Sequence, residues 1–384
     1  VNSTRRAFLS SIAAGAATAA LTGCRPGSPV PRPASALAPA PSLTGTNSLA
    51  AHAAAHGLLY GCAVNVRALS ADPAYASLVR AQANIVVAEN AMKWGALRPN
   101  ANSFRFDEAD ALLAFAEANR MKIRGHNLVW HRDNPAWLAG ALNSASAHRL
   151  LVDHIETVVG RYAGRMHSWD VVNEAVLISD GRPDGLRRSP WLTFVGDDYI
   201  ELAFRTARNA DPQALLTYND YGIEDDSPAA EQKRQSILVL LRRLITRAVP
   251  IDAVGIQSHL SAAPQPSAPT YAGLMRFIAE VRGLGLQVFL TELDVNDRSL
   301  PLDLPARDVA VAATYKQYLD RTLADPAVRA VLTWGITDRY TWLNHEGSRA
   351  DGQPERPLPF DAGDLPKPAS FAMRVAFDQR NLGS

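Results

Sequence analysis

A chain of 384 residues with 20% charged side chains and a formal net charge of +1 lacks the clustered basic excess that a nucleic-acid surface requires. Its 47% hydrophobic content supplies a large core and excludes a disordered chain.

The first residues read as a targeting segment. "STRRAFLS" sets Arg5 and Arg6 ahead of a short Ala-rich apolar stretch from Ala7 to Ala20, the order of an export signal, here of the twin-arginine type. The stretch is too short to span a bilayer comfortably. "LTGC" follows, ending in Cys24, and resembles the lipobox of bacterial lipoproteins, which implies a lipidated cysteine. Residues 1–24 are therefore expected to be a signal with lipobox, directing an exported, periplasmic or cell-surface protein. A lipid at Cys24 would be its sole link to a membrane. Residues 25–48 hold six prolines between Pro26 and Pro41 and read as a semi-extended tether. Cys62, the other cysteine, lies in the first apolar run and reads as an inert core thiol.

Over residues 49–384 short apolar runs alternate with longer helical patterns. The runs are 61–66, 84–90, 122–130, 168–174, 214–220, 252–259, 287–295 and 330–336. Helical spacing predicts helices over Phe106–Asn119, Ala147–Tyr162, Asp197–Asn209, Ala229–Arg247 and Tyr271–Arg282. Asp107, Glu108 and Asp110 fit the first turn of the first of these, where acids meet the positive end of the dipole. Eight strand–helix units with strands apolar on both faces predict an α/β fold, a (β/α)₈ barrel. A doubly wound sheet lacks support, because no G-x-G-x-x-G follows the first strand.

Polar residues gather at the C-terminal ends of seven runs. Glu89 and Asn90 end the second, His126 and Trp130 lie late in the third, and Asn173 and Glu174 end the fourth. Asn219 and Asp220 follow on the fifth, Gln257 and His259 on the sixth, Glu292 and Asp294 on the seventh, and Trp334 on the eighth. In a barrel these ends form one rim, where active sites sit. Strands four and seven face each other across such a mouth, so Glu174 and Glu292 would be opposed. One protonated and one ionised carboxyl among aromatics suit glycosidic bond cleavage.

"WDVVNEA", "TELDV", "ENAMKW", "GHNLVWH", "GIQSH" and "WGITDRYTW", in order between Leu58 and Phe377, together resemble family 10 glycoside hydrolases, the retaining endo-1,4-β-xylanases. The resemblance implies Glu174 as general acid/base, Glu292 as nucleophile, Asn173 on the 2-hydroxyl of the reacting sugar, and His259 with Asp294 orienting the nucleophile. It implies sugar contacts on the non-reducing side from Glu89, Asn90, Lys93, His126, Trp130 and Gln257, and aromatic walls from Trp334 and Trp342. Tyr221 would line the leaving-group side. The expected partners are xylan and xylo-oligosaccharides, hydrolysed by a monomer that uses no cofactor and binds no nucleic acid.

No metal is expected: His126 and His131 are an odd number apart, which on a regular strand points them oppositely. Trp169 reads as core, while Trp94 and Trp137 suit either a wall or packing. Where the family carries Ser-Gln after "LVWH", this chain has Arg132, Asp133 and Asn134, and Arg132 is expected to meet a carboxylate on acid-decorated xylan. Rival readings are a β-1,4-glucanase or cellobiosidase-like member of the same family and a carbohydrate-binding barrel without chemistry.

Overall fold

The computed structural model describes residues 43–263, 269–345 and 349–380. The export signal, Cys24 and most of the expected tether lie outside the described residues. Within them the apolar runs become parallel strands: β1 (Leu59–Val64), β2 (Ile85–Ala88), β3 (Lys122–Gly125), β4 (Ser168–Asn173), β5 (Leu215–Asp220), β6 (Ala253–Ile256), β7 (His259–Ser261), β8 (Gln287–Asn296) and β9 (Val328–Thr333). Each of β1 to β5 pairs with the next, β6 pairs with β8, β8 with β9, and β9 with β1. The sheet therefore closes into a (β/α)₈ barrel of eight staves. The short β7 continues the sixth stave after a break at Gln257 and Ser258, and pairs with the end of β8. Ser258 has φ +66°, a left-handed turn that re-aims the chain at His259.

Alternation along each strand sends side chains to two cores. Ala63, Ile85, Val87, Ala253, Phe289, Ala330 and Leu332 form one cluster. Cys62, Val64, Val86, Ala88, Val254, Ile256, Val288, Leu290 and Val331 join the larger one with the helices. Cys62 is fully buried and its thiol is pushed up to about 12 by desolvation, consistent with an inert core cysteine. The fully buried Trp169 packs over Gly125, where an added Cβ would lie 2.0 Å from its ring.

The five predicted helices form at Asp107–Ala118, Ala147–Arg161, Tyr199–Ala210, Pro228–Thr246 and Ala272–Gly283, with Asp107, Glu108 and Asp110 in the first turn of the first. Two expectations need correcting. The body begins before residue 49: Leu43 is buried, with its carbonyl accepting from Gln82, and Ser48 caps the helix Leu49–Ala55. An apolar side chain late in the tether thus finds a core site that composition alone did not reveal. The third run stops at Gly125 rather than Trp130; beyond it Val129 returns only as a lone bridge to Val172. Among the described residues no helix is long and apolar enough to cross a membrane.

Candidate active site

The C-terminal ends of β4, β5, β6 and β8 bring two carboxylates into one network of amides. Asn219, fully buried at the end of β5, donates from Nδ2 to Asn173 Oδ1 and to Glu292 Oε1, each at 2.8 Å. Gln257 Nε2 reaches Asn173 Oδ1 at 3.4 Å and Glu174 Oε1 at 3.1 Å. Asn173 Oδ1 thus accepts from both neighbours, which fixes the orientation of its amide, and its Nδ2 donates to Glu174 Oε1 at 3.4 Å. Glu174 and Glu292 are 9% and 5% exposed, so each is largely removed from water but open on one side.

Asn219 fits because β6 has no side chain opposite it. A Cβ on Gly255 would lie 2.1 Å from Asn219 Oδ1. Gly255→Ala is expected to push Asn219 out of the bridge. The overpacking costs about 1–3 kcal/mol, and the misplaced carboxylates should lower kcat about 100-fold. Thermal unfolding and steady-state kinetics on the same preparation check both figures.

On the β8 side, His259 Nδ1 donates to Asp294 Oδ1 at 2.9 Å and its Nε2 lies 3.2 Å from Glu292 Oε2. An imidazole flanked by carboxylates at both nitrogens is a cation. Desolvation opposes that charge, yet Asp294 and Glu292 together raise the His259 pKa well above its usual value. The reciprocal effect falls on Glu292: burial pushes its carboxyl up, but His259, the nearby His126 and Asn219 outweigh it and hold the pKa below the ordinary value. Trp342 closes this side, its indole N–H donating to Asp294 Oδ2 at 2.7 Å.

Glu174 experiences the opposite balance. Burial is the largest influence and raises its pKa; the donors Gln257 and Trp130 pull it down, while the charges of Asp220 and Glu292 push it up. Its backbone is left-handed, with φ +57°. That conformation is held from both sides: Glu174 N–H donates to Asn219 O at 2.8 Å, and Arg187 Nε donates to Glu174 O at 2.7 Å. Arg187 Nη2 also donates to the Tyr221 hydroxyl at 3.2 Å, and Lys233 Nζ sits 4.0 Å from the centroid of the Tyr221 ring.

The remaining predicted residues lie around the same mouth. His126 Nδ1 pairs with Asp170 Oδ2 at 2.9 Å, and its ring meets Trp334 edge-on at 5.2 Å. Lys93 Nζ donates to Asn90 Oδ1 at 2.9 Å, pairs with Asp133 at 3.1 Å, and lies 5.1 Å from the Trp130 ring centroid. Glu89, at the exit of β2, has its pKa raised by burial, against the pull of Lys93. The Asp133 and Asn134 of the unusual segment are thus tied to this edge, since Asn134 Nδ2 donates to Trp130 O at 3.2 Å.

The parity argument separating His126 from His131 fails, because the chain between them is not a strand: His131 Nδ1 lies 3.8 Å from Glu174 Oε2. Trp94 and Trp137 are packing rather than wall. Trp94 stacks on His154 at 3.7 Å, and Trp137 Nε1 donates to Arg98 O at 2.9 Å.

Sequence reasoning placed Asn219 on the rim without giving it a role, and did not single out Asp170, Glu224 or Arg187. Asn219 was visible as a strand-end amide. Asp170 is an acid inside a buried strand, a signal in itself, and it pairs with Arg124 and His126. Glu224 accepts from Ser258 N–H at 2.9 Å and so braces the turn before His259; nothing local in its loop announces that.

Residues 48–376 match the family described as Glycosyl hydrolase family 10. Endo-1,4-beta-xylanase B of Thermotoga neapolitana is 35% identical over 309 residues, covering 80% of this chain and 84% of that protein. Endo-1,4-beta-xylanase C of Paenibacillus barcinonensis is 35% identical over 344 residues, covering 82% of this chain, which spans 30% of that longer protein. Among solved structures, xylanase 10B from Thermotoga petrophila in complex with xylobiose superposes with a TM-score of 0.78 at 34% identity, covering 86% of this chain and 97% of that one. With a barrel of eight staves, paired acids across its mouth and a family match over most of its length, the chain belongs to glycosyl hydrolase family 10.

Proposed function

We propose that this family 10 enzyme is an endo-1,4-β-xylanase that hydrolyses internal bonds of xylan and xylo-oligosaccharides with retention, Glu174 serving as general acid/base and Glu292 as nucleophile. The observation that carries the reading is the contrast between two buried carboxyls joined by one amide network, one raised by burial and the other held down by a cationic histidine. In the first step Glu174 gives its proton to the glycosidic oxygen while a Glu292 oxygen bonds to the anomeric carbon. The aglycone half departs, leaving a glycosyl–enzyme ester. In the second step Glu174, now a carboxylate, takes a proton from water as its oxygen displaces Glu292, so two inversions give net retention.

Asn173 offers its NH₂, which also donates to Glu174 Oε1, to the 2-hydroxyl of the reacting sugar, a contact that gains strength as charge develops at the neighbouring carbon. Glu89, Asn90, Lys93, His126, Trp130 and Gln257 hold the sugars on the non-reducing side, and Tyr221 lines the other. Trp334 and Trp342 form the floor and wall of the central subsite. Because Trp342 is fixed by its bond to Asp294, it has little freedom to yield to a hydroxymethyl group, which favours a pentose over glucose. Export through the signal, lipid attachment at Cys24 and a monomeric state complete the reading. Product profiling tests it: xylan should give short xylo-oligosaccharides, and carboxymethyl cellulose should be cut far more slowly. Preference for the cellulose would establish the glucanase reading, and no turnover of an aryl xylobioside would establish the binding-protein one.

The two carboxyls also set the pH profile. Turnover needs Glu292 ionised and Glu174 protonated. Log kcat/KM therefore falls at low pH through the depressed Glu292 pKa and at high pH through the raised Glu174 pKa. His259→Asn removes the cation that opposes burial at Glu292, so its pKa rises and the acid limb moves toward neutrality. The alkaline limb should stay in place. An acid limb that stays put in His259→Asn contradicts the assignment of Glu292.

A further inference from the structure

Next to Glu89 and Asn90 the rim opens into a cleft of about 270 Å³, with room for one sugar ring. Its other walls come from Asn65, which caps the helix Val66–Ala71 after β1, from Arg67 in that helix, and from Arg105 just before and Glu108 within the helix Asp107–Ala118. No aromatic lines it, so it is not built for stacking. Its chemistry is that of two guanidiniums. Arg67 Nε donates to Glu108 Oε1 at 2.8 Å, which neutralises Glu108. Arg105 is held by its backbone, its N–H donating to Leu97 O at 2.8 Å, while its side chain makes no ion pair or hydrogen bond among the described residues. A guanidinium left without an anion beside a sugar-binding edge presents a planar fork that matches a carboxylate.

We propose that this cleft binds a carboxylate-bearing side group, a hexuronic acid substituent, on a sugar at the non-reducing end of the bound chain, with Arg105 as the specificity-determining residue. The inference rests on the xylanase reading and deepens it. The charge of the Glu89 carboxyl in the same wall is offset by its cationic neighbour Lys93. Arg132, the cation that the sequence offers for the same purpose, lies outside this cleft, with its guanidinium 5.9 Å from the Trp130 ring centroid.

The test compares two xylo-oligosaccharides that differ in one group: one carries a uronic acid on its non-reducing-side xylose, and in the other that carboxyl is reduced to an alcohol. In the wild-type chain the ratio of kcat/KM, acid over alcohol, should exceed one and fall toward one as salt is raised to about 1 M. Arg105→Ala should lower the ratio about tenfold, the scale of one charge-assisted hydrogen bond. Arg105→Lys should keep part of it, and Arg132→Ala should leave it in place. A ratio unchanged in Arg105→Ala, or lost only in Arg132→Ala, overturns the proposal. Calorimetric titration of both oligosaccharides into the Glu292→Ala chain gives the corresponding ratio of affinities without turnover. A wild-type chain that cleaves neither compound but still binds the acid preferentially would count against the xylanase reading alone.

Discussion

Glu292→Ala should lose at least about 10⁴-fold in kcat, the scale on which removing one member of a catalytic unit registers. It should also fail to release aglycone from an activated aryl xylobioside. The reason lies in the order of events. Without a carboxylate at this position no ester to the sugar forms, so even a leaving group that needs no proton finds no nucleophile. Burst kinetics and intact-mass measurement check the point: the wild-type chain trapped with a 2-fluoro glycoside should gain the mass of one glycosyl unit, and Glu292→Ala should gain none. The stereochemistry checks it independently. Proton NMR of the first-formed product should show the β-anomer, and early appearance of the α-anomer would remove Glu292 from its role.

Glu174→Ala should separate the two halves of the reaction. With a good leaving group the first half needs no proton, so the variant should release one equivalent of aglycone and then stall for want of a base. On xylan, whose leaving group needs protonation, kcat should fall by about 10³-fold or more. Azide, a nucleophile that needs no general base, should restore turnover of the aryl substrate and give a glycosyl azide of retained configuration. Absence of azide rescue in Glu174→Ala, with a folded chain by circular dichroism, would assign the acid/base elsewhere.

The rim was legible in the sequence because a barrel turns strand order into geometry. Glu174 and Glu292 lie 118 positions apart (292 − 174), yet each ends or nearly ends an apolar run, and the closed ring sets those ends face to face. The near-continuous burial of β1, β2 and β6 on both faces and the helix positions followed from local pattern. What escaped depended on contacts across staves. Asn219 matters because Gly255 leaves space beside it, a relation between two strands that neither one states. The segment after Gly125 looks like a continuing strand by its Leu128, Val129 and Trp130, but tertiary contacts bend it, so His126 and His131 both serve the mouth. Glu224 works through the backbone of Ser258, and a backbone acceptor leaves no trace in spacing.

The left-handed backbone at Glu174 sets a conflict between endurance and turnover. A side chain there is strained by its φ, and a carboxyl in that pocket is short of water, so the residue works against folding on two counts. Glycine would relieve both at once. Laboratory selection for heat resistance alone would therefore tend to discard the carboxyl proposed here as the proton donor, and any such campaign on this scaffold needs a simultaneous demand for sugar release.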